Sequence, residues 1–151
     1  MSQQNDIVFL ESALKLFHYY KKLGEGAMAQ LTDEEVLRKP NEASNSIALI
    51  VHHLSGNMLS RWTDFLTSDG EKKWRNREAE FDEAYPNKAT MIDAWEKGWS
   101  CLFNALDCVK PTDLSKIIYI RNEGQSVLEA IQRQLAHYPQ RKFRSVQQRK
   151  I

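Results

Sequence analysis

The sequence predicts an all-α protein, a four-helix bundle. Three observations carry this. Apolar residues recur at steps of three and four through four long segments. Glycine and proline are scarce, 6 and 4 of 151 residues, too few for a turn-rich β fold. With 42% hydrophobic and 27% charged residues, the composition is that of a globular chain able to bury one sizeable core.

The first helix is expected over residues 6–31, on Ile7, Leu10, Leu14, Phe17, Tyr20, Leu23, Ala27 and Leu31. Gly24 and Gly26 weaken its second half or let another helix come close. Thr32 followed by Asp33, Glu34 and Glu35 reads as a cap and an acidic first turn, in a short segment that ends before Pro40. The second long helix is predicted over 46–68, capped by Asn45 or Ser46 and stopped at Asp69-Gly70. Ile47, Ile50, Leu54, Met58, Trp62 and Phe65 are its apolar stripe. Residues 71–87 form a polar loop, expected to be pinned by Trp74 and Phe81. The third helix is predicted over 88–109, with Met91, Trp95, Trp99, Leu102, Phe103 and Leu106 on one face and Pro111 past its end. Residues 116–121 are β-like, a short strand or an extended connection, followed by a turn at Asn122-Glu123-Gly124. The last helix is predicted over 125–138, on Val127, Leu128, Ile131, Leu135 and Tyr138, before Pro139.

The bulk features exclude several classes. No apolar run approaches the roughly 18 residues a membrane span needs, and Met1 to Asp6 is polar, unlike a signal peptide. A soluble, cytoplasmic protein is expected. Cys101 and Cys108 fall about 10 Å apart along a helix, too far for a disulfide, and are read as free thiols. Five of the 21 basic residues (Arg141, Lys142, Arg144, Arg149 and Lys150) stand in the last thirteen, leaving the body at a net charge of −4. That balance gives no signature of specific nucleic-acid binding. The domain reading is a helical bundle over 1–138 and a basic tail over 139–151. The tail is too weakly apolar to dock a helix, so the core near Leu14, Phe17 or Trp95 is expected to be partly exposed, leading either to a homodimer that covers it or to a tendency to aggregate.

The residues that could carry chemistry lie mainly on the second long helix. His53, Asn57, Ser60 and Asp64 stand at steps of four, three and four, with Arg61 beside them. Such a stripe can line a pocket between helices, although spacing alone favours a solvent-facing one. His52 and His53 point about 100° apart, and periodicity does not choose between them. His137 sits next to the core residue Tyr138 on the last helix. Glycine-rich phosphate loops, H-E-x-x-H and G-x-S-x-G are absent from the sequence.

Ser46 to Asn57 (SIALIVHHLSGN), followed by Arg61 to Leu66 (RWTDFL), resembles a bacterial branch of the DinB/YfiT-like superfamily. So do Asp69-Gly70-Glu71, Arg75-Asn76-Arg77 with Glu80-Phe81, and Arg133 to Tyr138, so that the resemblance covers about residues 5–138. It implies a four-helix bundle, often dimeric, and a divalent metal such as zinc or nickel held by three histidines. It favours His53 over His52 as the first ligand and matches His137 to the first histidine of a final H-x-x-x-H. The second falls at position 141, which here is Arg141. Two imidazoles are fewer than the three protein ligands a metal usually takes, so metal is expected to be weak or absent. The activity implied is thiol-dependent S-transfer or hydrolysis, with a small thiol or other small molecule as partner and Asn57 or Asp64 orienting it. The alternative is a non-catalytic bundle with a stress-associated or ligand-binding role.

Overall fold

A computed structural model describes residues 3–39, 45–81 and 85–138. Among these the chain is mostly helical, with five α-helices and one two-stranded antiparallel sheet. In chain order they are α1 (Gln3–Ala29), α2 (Asp33–Leu37), α3 (Ile47–Trp62), α4 (Lys88–Asp107), β1 (Ile117–Ile120), β2 (Glu123–Ser126) and α5 (Val127–His137). Pro40, Pro139, Arg141 and the basic tail lie outside the described residues.

Local chemistry sets most boundaries. Thr32 caps α2 in a reciprocal box with Glu35: the Glu35 amide donates to Thr32 Oγ1 at 3.2 Å and the Thr32 amide to Glu35 Oε1 at 3.1 Å. Ser46, rather than Asn45, caps α3 by accepting from the Leu49 amide at 3.1 Å. Asn87 caps α4 and Ser126 caps α5 in the same way. The spacing carries α3 to residue 68, but the helix stops six residues earlier, at Trp62. Thr63 leaves the helical region and Asp64 takes a positive φ of 47°, so the chain turns under the helix end. Phe65 remains buried, now from a turn, which explains why the apolar period runs on past the helix.

The β-like run is a true strand. It pairs with a second strand, Glu123–Ser126, whose polar composition predicts no strand, and α5 accordingly starts at Val127 rather than 125. The two-residue turn uses Arg121 and Asn122, both at positive φ (54° and 66°), the geometry that matches strand twist in tight hairpins. Asp69 holds that turn. Its carboxylate accepts from the Arg121 and Asn122 amides, both at 2.9 Å, and the Gly70 amide donates to the Tyr119 carbonyl at 2.8 Å.

One apolar core runs through all the helices. α3 packs most extensively on α4. Gly98 allows this, since a Cβ there would stand 3.0 Å from the Ser55 Cα. Phe17, Trp99 and Tyr138 form an edge-to-face cluster with centroids 5.7–6.4 Å apart, and Trp95 joins it through Trp99 at 5.6 Å. The expectation that the core opens near Phe17 and Trp95 is therefore corrected: they are 0% and 1% exposed, enclosed by this cluster, while Leu14 is half-buried. No helix among the described residues is long and apolar enough to cross a membrane.

Candidate functional site

α3 presents His53 near its middle and α5 presents His137 at its last turn. The core packing that joins these helices brings the two imidazoles to 5.8 Å between centroids. His52, one residue along, points elsewhere and meets the Tyr85 ring at 5.3 Å. The buried Tyr138 hydroxyl donates to Asn57 Oδ1 at 2.9 Å, tying the end of α5 to the same face of α3. Burial pushes the Tyr138 phenol far up, so it stays a neutral donor.

The partner of His53 is Glu80, which the helical stripe does not contain. His53 Nδ1 donates to Glu80 Oε1 at 3.0 Å. Glu80 in turn receives a fork from Arg75, Nε to Oε2 at 2.8 Å and Nη2 to Oε1 at 3.0 Å. The side chains of Arg75 and Glu80 are 1% and 4% exposed, so this is a buried ion pair inside a nominally polar loop. It corrects the expectation for Trp74: the loop is pinned by Arg75 and Glu80, and Trp74 is 60% exposed. A carboxylate only accepts, so Nδ1 of His53 carries a proton. Gly56 makes the arrangement possible, because a Cβ there would stand 2.4 Å from Glu80 Oε2.

The other stripe residues anchor the loop. Ser60, fully buried, donates to the Gly70 carbonyl at 2.6 Å and accepts from the Lys72 amide at 2.9 Å. Arg61 donates to the same carbonyl at 2.7 Å and pairs with Glu71 at 3.1 Å. Burial alone would raise the Glu71 carboxyl, but Arg61, Arg75 and Arg121 around it outweigh that and hold it below the usual range. Asp64 stands apart, exposed beyond the helix end. His53, Asn57, Ser60, Arg61 and His137 are thus gathered along one side of α3, and Asp64 is not.

A cleft of about 370 Å³ opens beside this row, between α3, α4 and the segment around Trp74 to Glu80. His52, Leu59, Trp74, Tyr85, Ala94 and Lys97 are among its walls. Sequence reasoning did not find Glu80 as a partner of His53. The available signals were Gly56, a helix-interior glycine facing it, and an acid five residues after an arginine.

No curated protein and no solved structure matches the chain. A family described as "Protein of unknown function (DUF1572)" has a model that matches residues 4–148, nearly the full length, and the chain belongs to that family.

Proposed function

We propose that the chain is a cytoplasmic DinB/YfiT-like four-helix bundle, built on α1, α3, α4 and α5, whose His53–His137 end is a weak divalent-metal site related to those serving thiol-dependent S-transfer or hydrolysis. The carrying observation is the 5.8 Å approach of the two imidazoles. Zinc–nitrogen bonds of about 2.0–2.1 Å in tetrahedral geometry put two imidazole centroids roughly 5–6 Å apart, so the pair fits one ion. Glu80 supplies the carboxylate that a ligating histidine usually has on its other ring nitrogen. His53 and His137 would hold zinc or nickel, Glu80 fixes the ring of His53, and Arg75 fixes Glu80. A metal there would lower the pKa of a thiol or water bound to it. The set falls short in number. Among the described residues no group of three His, Cys, Asp or Glu is placed to hold a metal, and Arg141 lies outside them. That shortfall is the reason for a weak site, and it also favours the second reading, a non-catalytic bundle.

The test is calorimetric titration of the purified protein with zinc and nickel chloride. Weak binding, lost in His53→Ala and in His137→Ala, supports the proposal. Binding unchanged in both variants overturns it. Stoichiometric metal that survives dialysis against a chelator overturns the weak-site part. The proposal extends to a homodimer through the outer face of α1, where Val8, Leu16 and Tyr19 are 53%, 40% and 49% exposed along one stripe.

A further inference from the structure

We propose that the cleft between α3, α4 and the Trp74–Glu80 segment is a second binding site, separate from the His53–His137 end, for a small organic monoanion with a flat apolar body. Its volume, about 370 Å³, falls in the range of small-molecule sites, roughly 300–1,000 Å³. The walls are mainly apolar: Leu59, Ala94 and the ring of Tyr85, with Trp74 at the mouth. Trp74 is 60% exposed, yet it immediately precedes Arg75, which the buried ion pair immobilises. A large ring is thus held in water, where it covers little of the core and can stack on a planar guest.

Charge selects the guest. Arg75 and Glu80 both border the cleft, but they neutralise each other through two short hydrogen bonds. The Nδ1 atom of His52 is buried with no hydrogen-bond partner among the described residues, a group that a ligand could satisfy. Lys97, on α4, forms no ion pair among the described residues, and exposed Lys73 and Arg77 flank the overhanging segment. Among the described residues, the cleft therefore presents one cation without an ion-pair partner, Lys97, beside an apolar floor. A cationic guest would be repelled, and a purely apolar one would leave Lys97 unused.

The probe is 8-anilinonaphthalene-1-sulfonate, an aromatic monoanion, titrated into the full-length protein and followed by its fluorescence. N-phenyl-1-naphthylamine, a similar body without the charge, is the comparison. One saturable site is expected, with the anion bound at least about tenfold more tightly than the neutral compound. Lys97→Glu and Trp74→Ala should each weaken the anion by about tenfold or more, while Lys15→Glu, the same charge change on the exposed face of α1, leaves it unchanged. Lys97 and Trp74 are both exposed, so these variants keep the fold, which circular dichroism verifies. Absence of saturable binding overturns the proposal. So does equal affinity of wild type, Lys97→Glu and Trp74→Ala. Neither result bears on metal binding, which is read by calorimetry on other residues.

Discussion

At the scale of single residues, the Arg75–Glu80–His53 chain is the most consequential feature. Removing one partner of a buried ion pair strands the other charge, at a cost of about 3–5 kcal/mol. Arg75→Met should therefore lower stability to urea by about that amount, and the double variant Arg75→Met with Glu80→Gln should recover much of it. If the double variant is as unstable as the single one, the cost lies in packing and not in charge. Glu80→Gln alone should weaken zinc binding about 10–100-fold in calorimetry, the usual effect of losing the group that orients a ligating histidine. Tyr138→Phe leaves Asn57 Oδ1 without its buried donor and should cost about 1–3 kcal/mol in the same urea experiment. The sequence made part of this visible. His53, Asn57 and Ser60 share a face because 3.6-residue periodicity is a local property. Glu80 was invisible to periodicity, because its burial depends on a gap left by Gly56 a long way back in the chain.

At the scale of elements, two glycines in helices make opposite predictions. Gly26 is exposed with open space around it, so Gly26→Ala should stabilise the protein by about 0.5–1 kcal/mol through helix propensity. Gly56→Ala should destabilise it, because the new Cβ meets Glu80 Oε2, an oxygen held in place by Arg75 Nε. Thermal unfolding of the two variants checks both signs. The hairpin makes a pH prediction. Burial works to raise the Asp69 carboxyl, but the amides of Asn122, Glu71 and Arg121 outweigh it and hold the group below its ordinary value. A carboxyl lowered on folding contributes stability above its unfolded value, near pH 4, and loses it as pH falls through the lower folded value. Stability should decline below about pH 4, and less steeply in Asp69→Asn, as measured by urea midpoints across that range. The four long helices were legible from apolar spacing and caps. β2 was not, because Glu123 to Ser126 has no strand propensity and is held by its partner and by the turn that Asp69 grips. The true end of α3 was hidden for the opposite reason, since Phe65 prolongs the apolar period after the backbone has left the helix.

At the scale of the whole molecule, the core closes around Phe17, Trp95, Trp99 and Tyr138 within one copy, so pairing is not needed to cover it. The apolar stripe on the outside of α1 is where association is predicted instead. Light scattering should give the mass of a dimer, and Leu16→Glu with Tyr19→Glu should return a monomer with unchanged helicity. A monomer in the unmodified protein would remove the dimer from the proposal. The grip of Asp69 on the hairpin tip has a consequence for motion. It joins the connection that leaves α3 to the one that enters α5, so local opening of one requires opening of the other. Amide hydrogen exchange should therefore show Gly70, Glu71, Lys72, Arg121 and Asn122 exchanging at one common rate, as a single cooperative unit. The two helices that carry His53 and His137 would then be kept in step by the turn that Asp69 holds.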